Sequence, residues 1–179
     1  MTVIIYGDKK EKNLNNIIIK ILTRYGGVQF HSKDKIICSK DIDTPKFLVY
    51  ELNELPKVLD VSGLIIFRDS FKKLDSNKLS NNIFPIFDNQ NLEAANCFKD
   101  TNKIVLTCGL SSKNTLNISS ISSTDAVLSL QRYVKIKNKV LEPHEIKINL
   151  TMPIKSQDIL MLCAILLLSD IPSENGYIF

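Results

Sequence analysis

The sequence predicts a three-layer α/β fold, in which helices flank a mostly parallel β-sheet and an antiparallel ribbon with a closing helix follows. Short apolar runs rich in β-branched residues alternate with helical stretches through the first two thirds of the chain, which indicates βαβ crossovers. The last third alternates apolar and polar residues instead, as antiparallel strands with one solvated face do. We expect a single domain over residues 1–179, with its parallel part at about 1–109 and its antiparallel part at about 110–179.

The chain opens with a predicted strand and an amphipathic helix. Thr2–Tyr6 is apolar and β-branched and is closed by Gly7, a pattern typical of a buried strand with a tight exit. From Glu11 to Tyr25 the apolar residues recur at steps of three and four, and two glycines follow. This spacing predicts a helix that ends at the glycine pair.

Further short elements follow in the parallel part. The predicted strands are Val28–Phe30 and Lys35–Cys38 (either a hairpin or two separate strands), Phe47–Tyr50, Leu64–Phe67, Phe84–Phe87 and Lys103–Thr107. The predicted helices are a turn helix around Leu52–Leu59, which contains Pro56, and a helix over Asn91–Lys99. This order of strands and helices gives the parallel sheet its crossovers.

The last third changes character after a stretch rich in Ser, Thr and Asn, Thr107–Thr124. Ala126–Lys137 and Glu145–Met152 both alternate and are joined by a short connection, which predicts an antiparallel ribbon. A final helix is expected over Gln157–Leu168. Its apolar run is too short to cross a bilayer core of about 30 Å, so we expect a buried core helix and no membrane insertion.

Composition excludes several classes of protein. The 23 basic residues exceed the 19 acidic residues by only four, and 20 of them are lysines spread along the chain, so we expect no nucleic-acid partner. The four cysteines form no CxxC pair and only two histidines are present, which leaves no zinc-ligand spacing. The sequence opens without a signal-peptide pattern, and its bias towards Ile, Lys and Asn is typical of AT-rich bacterial genomes. We therefore expect a cytoplasmic bacterial protein with reduced thiols.

Four segments carry polar residues directly after a predicted buried strand. They are Val3–Asn13, Phe47–Glu51, Gly63–Ser70, and Pro85–Asn89 together with Lys103–Leu110. In this succession they resemble the central, ATP-binding domain of the Mur ligases and of their folate-polyglutamate relatives. The resemblance covers nearly the whole chain, and it implies that fold and an association with cell-wall metabolism.

The resemblance also implies candidate site residues. The family's phosphate loop, GTxGK[ST], falls on residues of this chain that are implied as a vestigial nucleotide- or anion-binding site, namely Gly7, Asp8, Lys9, Lys10, Lys12 and Asn13. The family's metal-handling glutamate falls on Glu51.

The loop departs from the family's pattern at the positions that contact phosphates and Mg²⁺. Lys10 replaces the second glycine, Glu11 the lysine, and Lys12 and Asn13 the hydroxyl residues, although a phosphate loop depends on these groups. Lysines beside a helix N-terminus still favour anions, so both anion binding and a surface turn without a ligand stay open.

Other candidates lie at predicted strand ends. Asp69 and Asp88 are expected to cap a helix or form a turn, and Ser70 stands where the family has a histidine. Cys108 is the best placed thiol, either as a buried structural residue or as a reactive one. None of Lys72, Lys73 and Lys78 is assigned to the modified lysine of the family.

Two further groups of residues carry reactive or charged side chains. Arg132 stands among apolar positions of an alternating stretch, so it lies either at the rim of the sheet or beside a carboxylate such as Glu142 or Glu145, and we expect the ion pair. Serine pairs at 111–112 and 119–120 with His144 lack a G-x-S-x-G elbow, so we expect no serine nucleophile.

The sequence as a whole predicts a non-catalytic, Mur ligase-like protein: a binding or regulatory module that has lost the ATP phosphate loop. Within these 179 residues nothing corresponds to the family's two substrate-holding domains, so we expect no ligase activity from this chain alone. No catalytic residue and no cofactor are expected, with ATP and Mg²⁺ only if the altered site still binds. Two alternatives stay open: a nucleotide- or anion-binding protein or ligase-related enzyme that acts with a partner subunit, and a structural subunit of a hetero- or homo-oligomer.

Overall fold

The computed structural model describes residues 1–8, 12–39, 42–57, 59, 61–72, 74–75, 79–136 and 139–179, and it leaves the side chains of residues 12, 13 and 139 undescribed. The chain divides into two compact units, residues 1–87 with 91–105 and residues 88–90 with 106–179. The single domain expected over 1–179 stays a prediction.

The first unit is built on parallel strands. Its elements are β1 (Thr2–Tyr6), α1 (Lys12–Arg24), β2 (Val28–His31), β3 (Ile36–Cys38), β4 (Phe47–Leu52), β5 (Gly63–Phe67), β6 (Ile83–Asp88, whose last residue is counted with the second unit) and α2 (Leu92–Phe98). The strand order is β6-β5-β1-β4-β2-β3, and every neighbouring pair is parallel except β2 with β3. The crossovers predicted from the sequence are therefore present.

Both faces of the central strands are buried, which explains their continuous apolar sequences. In β5 all five residues are buried, and in β1 only Thr2 is partly exposed. The ring centroid of Tyr6 lies 5.9 Å from that of Phe67 and 5.5 Å from that of Phe71. The aromatic rings of this core lie next to the carboxyl ends of β1 and β5, so they hold these strand ends in place.

The second unit is mostly antiparallel. Its elements are β7 (Leu106–Gly109), β8 (Leu116–Ile121), β9 (Asp125–Leu130), β10 (Val134–Ile136), β11 (Lys139–Leu141), β12 (His144–Asn149), α3 (Ser156–Leu168) and β13 (Tyr177–Ile178). The sheet order is β13-β12-β9-β8-β7, in which β9 is antiparallel to both of its neighbours, β8 and β12, whereas β7 is parallel to β8 and β13 is parallel to β12. Strands β10 and β11 pair in a separate antiparallel hairpin. A mostly parallel α/β fold with an antiparallel region and a closing helix is thus confirmed.

Helix α3 is buried on all sides, because every residue from Ile159 to Leu168 is buried. A helix that is apolar around its whole circumference belongs in a core, as the sequence predicts. Among the described residues no helix has the length and apolar character needed to cross a membrane.

Three predicted elements were wrong in part. The described residues of Leu52–Leu59 form no helix, since β4 extends to Leu52 and irregular backbone follows it up to Pro56. The strand predicted at Lys103–Thr107 begins only at Leu106 and runs to Gly109. The strand predicted at Ala126–Lys137 is two strands, β9 and β10, because the chain leaves the sheet after Leu130.

Strand β8 lies inside the Ser- and Thr-rich stretch and was not predicted. Its register with β9 shifts between Ile118 and Ser120, so the alternation that begins at Leu116 is broken at the serines that follow Ile118. Asn117 stands at a polar position of this alternation but is buried, and Gln131 donates to its Oδ1 at 3.0 Å. The bulge therefore hides the strand from a pattern search.

Candidate functional site

The loop after β1 is tied to two neighbouring segments by its own backbone. The N–H of Gly7 donates to the carbonyl of Leu52 at 3.0 Å, and the N–H of Asp8 donates to the carbonyl of Ser70 at 2.8 Å. Both amides are engaged within the protein, whereas a phosphate loop turns such groups towards its ligand. Of the other predicted loop residues, Lys9 and Lys10 lie outside the described residues, as does Glu11.

The backbone of Lys12 and Asn13 starts α1, and their side chains lie outside the description. The predicted vestigial anion site is therefore described only at Gly7, at Asp8 and in the backbone of this first helical turn.

A buried polar cluster lies beside this loop and consists of Asn15, Glu51 and Arg68. Arg68 Nη2 donates to Glu51 Oε1 at 2.9 Å and to Asn15 Oδ1 at 2.8 Å. Asn15 Nδ2 donates to the same Glu51 Oε1 at 2.7 Å. The three residues are 4%, 5% and 9% exposed respectively, so all three polar groups are withdrawn from water.

Each member of the cluster is held by a regular element or directly follows one. Asn15 lies in the first turns of α1, Glu51 in β4, and Arg68 directly after β5. The backbone N–H of Arg68 donates to the carbonyl of Tyr6 at 2.9 Å, and Asn91 Nδ2 donates to the carbonyl of Arg68 at 2.7 Å. The guanidinium is therefore fixed at the carboxyl ends of neighbouring parallel strands.

The cluster connects to the loop through Arg68 Nη1, which donates to the carbonyl of Asp8 at 3.3 Å. Glu51 thus balances a buried cation of the same chain, and a buried charge that lacks such a partner is strongly unfavourable. A carboxylate held in this way is less available to a metal ion than a free one.

Sequence reasoning found Glu51 but missed Arg68 and Asn15. The available signal was Arg68 itself, since an arginine directly follows a strand whose five residues are all apolar or glycine, and such a position is buried unless the strand ends at the surface. No local pattern indicates that Asn15, 53 positions away in the sequence, completes the cluster.

The aspartates at the strand ends have different surroundings. Asp69 is exposed. Asp88 is buried and its Oδ1 accepts the N–H of Gln90 at 2.8 Å, the geometry of a turn, while Asn91 caps α2 by accepting the N–H of Ala94. The two aspartates do not join the cluster, and Lys72 is paired with Glu54 at the surface. Lys73 and Lys78 lie outside the described residues.

Cys108 is fully buried in β7. Burial, with a smaller effect of the Asp88 charge, raises the pKa of its thiol far above the ordinary 9.0. Burial likewise raises the pKa of the Cys163 thiol. Because the thiolate is the nucleophile, this geometry favours a structural role for Cys108 over a reactive one.

Arg132 and His144 do not make the contacts that the sequence suggested for them. Arg132 Nη2 donates to the carbonyl of Lys113 at 2.9 Å, so the predicted ion pair with a glutamate was wrong for the contacts that the structure describes. His144 lies 2.9 Å, through Nε2, from Ser173 Oγ. This contact links β12 to the segment before β13 and involves none of the four serines named from the sequence.

The fold is similar to that of solved Mur ligases. A UDP-N-acetylmuramoyl-L-alanyl-D-glutamate–2,6-diaminopimelate ligase aligns with a TM-score of 0.53 and 8% identity over 94% of this chain and 42% of its own. A UDP-N-acetylmuramoylalanyl-D-glutamyl-2,6-diaminopimelate–D-alanyl-D-alanyl ligase from Acinetobacter baumannii aligns with a TM-score of 0.57 and 10% identity over 97% and 44%. MurF ligase from Thermotoga maritima, solved in complex with ADP, aligns with a TM-score of 0.51 and 10% identity over 93% of this chain and 44% of its own.

These likenesses establish the fold, and the predicted resemblance to the Mur ligases is confirmed at that level. The chain spans a little over two fifths of the length of the solved ligases, 42–44%. No protein-family model matches the sequence, and no curated protein is significantly similar to it.

Proposed function

We propose that this chain is a non-catalytic, Mur ligase-like protein that acts as a cytoplasmic binding or regulatory module, with a loop after β1 that no longer binds the phosphates of ATP. The observation that carries the proposal is the buried cluster of Asn15, Glu51 and Arg68. It joins the strand ends next to this loop and engages the carboxylate that the family resemblance assigns to metal handling.

The backbone of the loop supports the same proposal. The N–H groups of Gly7 and Asp8 donate to carbonyls of the protein, so a phosphate would have to displace two internal hydrogen bonds. The sequence also lacks the lysine and the hydroxyl residue that reach the outer phosphates and Mg²⁺ in a phosphate loop. The module takes neither ATP nor Mg²⁺ as a cofactor and acts through a protein partner or a second copy of itself.

The test is a titration of the folded protein with ATP and with inorganic tripolyphosphate, each with Mg²⁺, followed by isothermal calorimetry and by the melting temperature. Tripolyphosphate isolates the phosphate contribution because it carries no base. A ligand that binds only the folded state raises the melting temperature in proportion to the logarithm of its concentration. We expect no saturable heat and no such rise with tripolyphosphate.

Two variants make the test specific. Glu51→Gln removes the charge of the buried carboxylate, and Glu54→Gln changes an exposed glutamate three positions away in the sequence. A saturable response to tripolyphosphate in the unaltered protein that disappears in Glu51→Gln and persists in Glu54→Gln contradicts the proposal.

A further inference from the structure

A cleft of about 590 Å³ lies at the carboxyl ends of β2 and β4. One side is formed by residues 31–34, which end β2 and turn towards β3, and the other side by residues 50–54 at the end of β4. The volume lies within the range of about 300–1,000 Å³ that is usual for small-molecule sites. Of the described residues, neither Gly7 and Asp8 in the loop after β1 nor Arg68 lines this cleft.

Two stacked rings line the cleft. The ring centroids of His31 and Tyr50 are 5.1 Å apart and the rings are inclined by only 19°. Both side chains are half-buried, and neither the Tyr50 hydroxyl nor the His31 ring nitrogens bond to any residue that the structure describes. The cleft therefore offers an aromatic surface with unused hydrogen-bonding groups at its edge, an arrangement that suits a planar ring with polar edges.

Of the polar side chains that line the cleft, some form hydrogen bonds within the protein and others do not. Ser32 Oγ accepts the N–H groups of Asp34 and Lys35 within the turn, at 3.3 Å and 3.2 Å, so this hydroxyl holds the backbone. Asn53 lines the cleft, and its side-chain amide bonds to no described residue. An amide supplies both a donor and an acceptor, as a heteroaromatic edge requires.

The charged residues around the cleft offer an anionic ligand no excess of positive charge. Three carboxylate residues line it, Asp34, Glu51 and Glu54, together with one lysine, Lys33. Glu51 is paired with Arg68 and Glu54 with Lys72, and the hydrogen bond and charge of Lys72 lower the pKa of the Glu54 carboxyl. A phosphate placed here would therefore meet no net positive charge.

We propose that this cleft binds a neutral, planar heteroaromatic ring of the nucleobase class, stacked on the His31–Tyr50 pair and hydrogen-bonded at its edge by Asn53. His31, Tyr50 and Asn53 do not belong to the buried cluster, although Glu51 of that cluster also lines the cleft. A base can bind to these three residues whether or not the loop after β1 binds phosphate, so nucleoside binding and tripolyphosphate binding test the two proposals separately.

The experiment titrates the folded protein with adenosine, guanosine, cytidine and uridine, followed by saturation-transfer NMR and by calorimetry. Concentrations reach about 1 mM, at which a ligand with a Kd of about 1 mM is half bound. We expect saturable binding of at least one of these nucleosides and no tighter binding of its 5′-monophosphate. Saturation of none of the four overturns the proposal, as does tighter binding of the monophosphate.

Variants of the two rings locate the binding. We expect His31→Gln and Tyr50→Leu each to raise the Kd of the bound nucleoside about fivefold, because each removes one aromatic ring from the stacking surface and leaves a side chain of moderate size in its place. The matched controls His144→Gln and Tyr133→Leu alter the same residue types in the second unit and leave the Kd unchanged. Nucleoside binding that is the same in all four variants overturns the assignment to this cleft.

Discussion

The guanidinium of Arg68 is buried, and side chains from two other parts of the chain form hydrogen bonds with it. Glu51 Oε1 accepts from both Arg68 and Asn15, so one oxygen connects the cluster. A buried ion pair contributes little net stability when it is intact, but it is costly to break, because the remaining charge stays buried without compensation. The cluster therefore constrains which substitutions this site tolerates.

We expect Glu51→Ala and Arg68→Ala each to lower the free energy of unfolding by about 3–5 kcal/mol, and the double variant by clearly less than the sum. The double variant is milder because it leaves neither charge buried alone. Urea denaturation followed by circular dichroism measures these values. The control is the exposed pair: we expect little change for Glu54→Ala or Lys72→Ala, since solvent screens that contact. Strictly additive losses at Glu51 and Arg68 would show that the two charges do not depend on each other.

Gly7 ends β1 under a constraint that the sequence alone does not reveal. Its φ is +130°, and a Cβ built on it would lie 2.3 Å from the carbonyl oxygen of Ser70. The resemblance to a phosphate loop suggests that this glycine is kept for a ligand. The geometry gives it a structural reason, because only glycine combines this φ with so close an approach of backbone to backbone.

Gly26, in the same unit, has a nearly equal φ of +125°, and a Cβ built on it would lie 2.9 Å from the Cβ of Lys46, a longer contact than that at Gly7 and with a side-chain atom. We expect Gly7→Ala to cost about 3 kcal/mol of unfolding free energy and Gly26→Ala about 2 kcal/mol, since both adopt the same strained backbone conformation and the contact of Gly7→Ala with a backbone carbonyl is the closer one. Urea denaturation of the two variants side by side tests the difference. Equal losses would mean that the contact with Ser70 relaxes freely.

Elements with a clean repeat were predictable, and elements shaped by polar contacts were not. The apolar residues of α1 recur at helical spacing because one face of the helix is buried, and β1 is apolar throughout because both of its faces are buried. Strand β8 was missed because a bulge between Ile118 and Ser120 interrupts its alternation. The cluster was only partly predictable for a similar reason: Glu51 stands at a strand end, whereas its partners come from distant positions and are joined only by the fold.

Two cysteines occupy the interior of the second unit. Cys108 lies in β7 and Cys163 in α3, and both are fully buried. Buried thiols behave as small apolar groups as long as they keep their protons. Ionisation of these two thiols at high pH can therefore only lower the free energy of unfolding. Cys38 differs from them because it is exposed.

We expect the free energy of unfolding to be flat with respect to these thiols below about pH 8 and to fall at higher pH. Burial raises the pKa of both thiols above their ordinary value of 9.0. Above that value the unfolded chain releases protons that the folded chain retains, so stability declines by about 1.4 kcal/mol per pH unit for each thiol.

Urea denaturation between pH 7 and pH 10 in the presence of a reductant measures this decline. The variant that carries both Cys108→Ala and Cys163→Ala should lose most of the slope above pH 9, whatever its stability at neutral pH, because no buried thiol remains to be ionised on unfolding. Cys38→Ala serves as the control and should keep the full slope, since that thiol is exposed in the folded protein as well. An unchanged slope in the double variant would show that other groups govern alkaline unfolding.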